Sequence, residues 1–157
     1  MTVTQQVGRP SSAPPRSPAE RRADVEHMLT QERHLWLATA GDGRPHLVPL
    51  AFVRNGDELL MISKRGSRTI GNLRTNPFAR ASLGDPRDVV IVEGEAELVE
   101  PDAIPEEVRA LFARLPLNPD RVPGAIAVRL RPTRIQAWRH FGEMAGRTVM
   151  ADGRWLP

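Results

Sequence analysis

The chain has 157 residues, 40% of them hydrophobic and 26% charged, and no cysteine. That length and balance fit one globular domain plus a tail, and the missing cysteines exclude disulfides, thiolate metal sites, thiol nucleophiles and thiol redox relays. Any redox work must therefore come from a bound cofactor. The formal charge of +3 and the pI near 10.8 are reconciled by composition: Lys64 is the single lysine among 22 basic residues, and arginine does not deprotonate.

The arginines are scattered, and with only 4% aromatic residues no basic block is interleaved with stacking rings, which argues against a nucleic-acid partner. No apolar run is long enough to cross a bilayer, and Met1–Arg16 lacks the apolar stretch of a secretory signal, so no membrane partner and a cytoplasmic location are expected.

Residues 1–16, rich in Thr, Gln, Ser and Pro without periodicity, are expected to form a disordered arm, with the folded domain spanning 17–157. Ser17, Pro18 and Glu20 make a capping box with proline at the first helical position. Val25, Met28 and Leu29 follow at helical spacing, which predicts a first helix to about Arg33. The period then changes. Leu35 to Ala40, His46 to Val53 and Glu58 to Ser63 read as strands of an antiparallel meander, with Asn55-Gly56 supplying positive φ at a hairpin. A short helix fits Ser67 to Arg74, capped by Ser67, with Ile70 and Leu73 inward and Asn76-Pro77 stopping it.

Strands resume at Arg80 to Leu83 and at Asp88 to Glu100, the latter interrupted by Gly94, which suits a bulge or bend at a barrel corner. Val108, Leu111, Phe112 and Leu115 repeat as an amphipathic helix begun near Pro105. Ile126, Val128 and Leu130 alternate with Ala127, Arg129 and Arg131 in a final strand running past Pro132 toward Trp138. Gly146 to Pro157 reads as a loop or short hairpin around Asp152-Gly153. The result is a mainly β chain of six strands with peripheral helices.

No nucleophile elbow, Walker loop, His-Glu-x-x-His motif or dinucleotide fingerprint is present, and His27, His34, His46 and His140 have no metal-site spacing. The densest polar and cationic cluster is Ser63 to Thr69, between a strand end and a helix start. Helix N–H groups, the Ser67 and Thr69 hydroxyls, Lys64 and Arg68 would suit a phosphate there; an ordinary capped, solvated turn explains the same residues. Trp36 and Trp138 suit either ring stacking or core and interface anchoring. His46 suits either proton donation or a place near an exposed turn.

Leu37 to Thr39, Asp42 to Pro45 and Gly66 to Pro77, in that order, resemble the pyridoxamine phosphate oxidase-like family and its flavin/deazaflavin oxidoreductase branch. Gly146 to Trp155 is similar to the tail of the deazaflavin-associated subgroup. The resemblance implies an FMN-binding type of antiparallel split β-barrel and a homodimer with cofactor sites at the subunit interface. It places the cofactor against Val48, Pro49, Leu50, Ile62, Ser63, Lys64, Ser67, Arg68 and Thr69, with Arg68 on the phosphate. Thr69 departs from the family's lysine at that place, leaving Lys64 or Arg65 to substitute. Leu47 to Phe52 lacks the basic residues of the oxidases themselves, which argues against pyridoxal phosphate synthesis.

The activity implied is hydride transfer between bound coenzyme F-420, or alternatively FMN, and a small organic substrate. No catalytic side chain is assigned. A non-catalytic flavin- or haem-binding or sensing protein of the same fold is the alternative.

Overall fold

The computed structural model describes residues 13–157; the expectation of disorder for residues 1–12 lies outside them. Helix α1 (Pro18–Gln31) begins as its sequence predicts. Ser17 Oγ accepts from Glu20 N–H at 3.2 Å and Glu20 Oε2 accepts from Ser17 N–H at 2.8 Å, so two N-terminal donors are satisfied reciprocally. The helix buries Val25 and Leu29 and stops before Arg33, because Glu32 is already extended (φ −68°, ψ 146°) and leads into the first strand.

All six expected strands are present, but the sheet has nine among the described residues. In chain order these are β1 (His34–Ala40), β2 (Pro45–Ala51), β3 (Val53–Asn55), β4 (Glu58–Lys64), β5 (Phe78–Leu83), β6 (Val89–Val99), β7 (Ala125–Trp138), β8 (Thr148–Ala151) and β9 (Arg154–Trp155). Three strands are additional for two reasons. The run predicted from His46 to Val53 divides at buried Phe52, whose N–H donates to Arg33 O at 3.0 Å and ends one strand before the next begins. The C-terminal segment closes as a hairpin, with Asp152 (φ 51°) and Gly153 (φ 72°) both left-handed, as a tight hairpin turn demands. At the β3–β4 hairpin the positive φ is at Gly56 (62°).

The strands are antiparallel in the order β2-β1-β5-β6-β7-β4-β3, with the β8–β9 hairpin attached to β7. The sheet curls until β2, at one end, meets β4 near the other without a ladder between them. This is the split β-barrel expected. Gly94 explains part of the curl. The β6–β7 register slips between Glu93 and Gly94, and a Cβ on Gly94 would lie 2.3 Å from Arg131 O, so no larger residue fits the bend.

Helices α2 (Arg68–Thr75) and α3 (Glu106–Phe112) complete the domain. β4 is buried on both faces, which its unbroken apolar run reflects. Leu59 and Met61 enter the barrel core with Leu37, Val92 and Ile135, while Leu60 and Ile62 pack outside it with Phe112, Leu115 and Ala127. Helix α3 therefore roofs one end of the barrel wall, with Leu115 already beyond its last turn.

The folded unit reaches back to Arg16. The Glu143 carboxylate is 1% exposed and accepts from Arg16 Nε (2.9 Å), Nη2 (2.8 Å) and main-chain N–H (3.0 Å), and from Arg139 N–H (2.8 Å). Arg16 also reaches Asp24 at 3.0 Å, so the segment before α1 is tied to that helix and, through Glu143, to the turn after β7. These bonds, Arg16 above all, hold the Glu143 carboxyl well below the usual carboxylate range.

Because the folded chain binds this proton less readily than the unfolded one, the contribution is complete above the unfolded carboxyl pKa of about 4.3 and fades as the pH falls below it. Glu143→Ala is expected to lower stability by about 3 kcal/mol at pH 7, since Arg16 loses a buried partner. Denaturant melts from pH 7 to pH 2 should show the wild type converging on the variant below about pH 5; parallel curves would contradict this role.

Candidate functional site

The site is built where the barrel fails to close. In the β1–β2 ladder Arg33 and Phe52 pair, so alternate residues counted back from Phe52 turn their main-chain groups toward β1: Leu50 opposite Leu35, Val48 opposite Leu37, His46 opposite Thr39. The main-chain N–H groups of Val48 and Leu50 are thus consumed within the sheet. The open edge belongs to Leu47, Pro49 and Ala51. Pro49 offers only its carbonyl, and a strand proline belongs on such an edge, where its missing N–H breaks no ladder. The main-chain donors facing the split are Leu47 and Ala51, neither of which sequence reasoning named; the signal was Pro49 itself, whose parity marks the unpaired side.

Across the split, β4 is covered by β3 only from Glu58 to Leu60. Beyond Leu60 its second edge is open, and a small apolar cavity of about 130 Å3 lies there, lined by Pro49, Leu50, Ala51 and Ile62 and roofed by Leu115-Pro116-Leu117. Three of the predicted residues, Pro49, Leu50 and Ile62, therefore share one pocket. Val48 is half-buried beside them on β2.

Following β4 past Ile62 leads to the cationic corner. Ser63 is buried, and its Oγ lies 2.9 Å from Ser67 Oγ. Ser67 caps α2, its Oγ accepting from Ile70 N–H at 3.2 Å. Of the two serine hydroxyl protons one joins the pair, and the other is left for a further acceptor. As the first residues of α2, Arg68 and Thr69 have N–H groups with no partner inside the helix.

Lys64 and Arg68 are exposed and have no ion pair among the described residues. Arg65 is committed elsewhere, donating from both terminal nitrogens to Glu100, which it holds below the usual carboxylate range. It cannot replace the lysine missing at Thr69 without breaking that pair. Thr69 itself is buried, with its side chain away from the corner's surface.

Two asparagines hold the corner in place, Asn72, to which the sequence analysis gave no role, and Asn76, read there only as part of the helix stop. Asn72 Nδ2 donates to Thr39 Oγ1 at 3.1 Å and Asn76 Nδ2 to Ala40 O at 2.9 Å, clamping α2 to β1. Gly41 is required by the first contact, since a Cβ there would lie 2.6 Å from Asn72 Oδ1. Their four-residue spacing in a short polar helix was the available signal. His46 is half-buried at the start of β2, Trp138 is half-buried at the end of β7, and Trp36 is 51% exposed on the outer face of β1. No cluster of candidate metal ligands occurs among the described residues, and no helix among them is long and apolar enough to cross a membrane.

The pyridoxamine 5'-phosphate oxidase family model matches residues 22–139. No curated protein matches the sequence. Similar solved structures include an F420 reductase, 22% identical, covering 70% of this chain and 94% of its own, with a TM-score of 0.56. HutZ, a heme storage protein from Vibrio cholerae, is 19% identical over 84% of this chain and 97% of its own, with a TM-score of 0.62. An FAD-binding protein from Mesorhizobium loti is 24% identical over 73% and 89%, with a TM-score of 0.58. At these identities the likeness is one of fold. The family match is broader, running from within α1 through strands β1 to β7, and the chain belongs to the pyridoxamine 5'-phosphate oxidase family.

Proposed function

We propose that this protein binds F-420, or alternatively FMN, along the split between β2 and β4 and uses it to exchange a hydride with a small organic substrate. The observation that carries the reading is the continuity of two unlike surfaces. An open strand edge with two N–H donors and flanking carbonyls leads, through Ile62, to a corner with a spare hydroxyl proton, two free helix N–H groups and two unpaired cations. The first suits the alternating donors and acceptors on the edge of a planar heterocycle; the second suits a phosphate. When bound, the cofactor supplies the hydride chemistry. The chain's own residues bind and orient: Leu47 and Ala51 at the ring edge, Ser63, Ser67, Lys64 and Arg68 at the phosphate. The F420 reductase and the FAD-binding protein among the structural relatives support a flavin-type ligand.

A homodimer is part of this reading. The cavity of about 130 Å3 is smaller than the several hundred Å3 usual for a ligand pocket, which supports a site completed by a second copy. Trp36, Leu47 and Phe78 are 51%, 60% and 63% exposed on one outer face of β1, β2 and β5, with Trp36 directly opposite Pro49. An apolar face of this kind is suited to burial against its own copy.

One observation favours a second reading, in which a flavin or haem is held without turnover. The pocket is lined by apolar side chains, with no acid or base among them, and HutZ is a storage protein. Reduction of an enone and quinone panel by the reduced cofactor separates the two, since a binder should add nothing to the rate of the free cofactor.

Titration with F-420 and with FMN, followed by tryptophan quenching, should give saturable binding of at least one. Arg68→Ala should weaken it by about 1–3 kcal/mol through loss of a charge-assisted contact; an unchanged Kd in a folded variant would remove the phosphate from this corner. Leu47→Asp should shift the sedimenting species from dimer to monomer at micromolar concentration. A wild-type chain already monomeric there, or an unaffected dimer, would exclude this face as the interface.

A further inference from the structure

The split does not end at its roof. Ala51, Leu115 and Pro116, which line the apolar pocket beside Leu50 and Ile62, also line a larger recess of about 540 Å3 bounded by the end of α1, the start of β1 and β3. That volume lies within the range of small-molecule sites. The two chambers differ in chemistry. The inner one is apolar, while the outer one carries Arg33, Arg54, Arg114 and His34 against a single carboxylate, Glu32.

The three arginines are not equivalent. Arg54 is held in place: its Nε donates to Gly56 O at 2.6 Å and its Nη1 to Glu26 O at 3.2 Å, and it pairs with Glu26 and Asp57. It answers the negative end of α1, where cations are ordinarily drawn. Arg33 and Arg114 are exposed, lie in different connections (between α1 and β1, and after α3), and have neither a side-chain hydrogen bond nor an ion pair among the described residues. Two unpaired guanidinium groups at the mouth of an apolar pocket match a ligand with a greasy body and an anionic end.

We infer that this groove binds a small apolar carboxylic acid, its body against Leu50, Ile62 and Leu115 and its carboxylate between Arg33 and Arg114. The inner chamber adjoins the open edge of β2 to which the cofactor ring is assigned, so an acid with a C=C bond conjugated to its carboxylate would be the hydride-exchange substrate: its β-carbon would take the hydride of the reduced cofactor and its α-carbon a solvent proton, the C=C bond becoming single as the cofactor is oxidised; that identification rests on the proposed function. Selection for negative charge does not rest on it.

The test uses the full chain and three probes, cinnamate, methyl cinnamate and inorganic phosphate, with binding followed by ligand-observed NMR. Cinnamate is expected to bind about tenfold or more tightly than its ester, the difference made by one charge-assisted contact. The preference should fall with added salt and vanish in Arg33→Ala/Arg114→Ala. Both side chains are on the surface, so a thermal melt of the double variant should match the wild type.

Equal binding of acid and ester by the wild type would overturn the inference, as would an acid preference that survives the double substitution. Phosphate competing as well as cinnamate would also overturn it, because the apolar chamber would then contribute nothing. Cofactor titrations run beside these keep the two readings apart: acid selectivity without cofactor binding leaves an anion groove and removes the oxidoreductase, and cofactor binding without acid selectivity does the reverse.

Discussion

Pro49 has no N–H to give, and it stands midway along the one edge of β2 that no strand among the described residues covers. A ladder between β2 and β4 would lose a hydrogen bond there, so the sheet curls without zipping shut. Much else follows from that unsealed seam. The main-chain groups of Leu47 and Ala51 are left facing the split, a pocket persists between two walls that would otherwise have merged, and an exposed edge is created that invites a covering. The loop Leu115-Pro116-Leu117 covers part of it.

The opposite wall must be rigid for such a seam to hold a defined shape. β4 is packed on both faces, by the barrel core on one side and by Phe112 and Leu115 on the other, so its open end cannot drift toward β2. Asn72 and Asn76 fasten the adjoining helix to β1, and the Glu143 cluster fastens the segment before α1 to the far end of β7. The barrel is thus tied by polar contacts at both ends and left open along its length.

In this arginine-rich chain, uncommitted charges stand at both ends of the split, as they do at surface positions such as Arg44, Arg121 and Arg154. Arg16, Arg54, Arg65, Arg109 and Arg129 are each taken up by carboxylates, several with two or more bonds. Lys64 and Arg68 at one end of the split, and Arg33 and Arg114 at the other, have no such partner among the described residues. Each free pair lies beside an apolar or main-chain surface suited to the body of a ligand, whereas the committed arginines lie along ladders and turns where a structural partner is within reach.

Much was legible in the residues alone because much of it is local. Ser17 and Glu20 announce a capping box and form one, Ser67 caps the second helix, and Gly94 bends its strand because no side chain fits against the facing carbonyl. Strand positions followed from alternation and turn residues, whose energetics involve only near neighbours. The division at Phe52 was not legible, since it depends on a carbonyl nineteen residues earlier in the chain. Nor was the burial of Thr69, or the engagement of Arg65 by Glu100, thirty-five residues away. Legible from the residues alone were the three α-helices, six of the strands, their order along the chain and the chemical character of the cationic corner. Which strand edge stays open, which main-chain groups face the split and which arginines are left unpaired were decided only when distant segments met, because hydrogen-bond pairing and charge neutralisation depend on partners that chain order does not reveal.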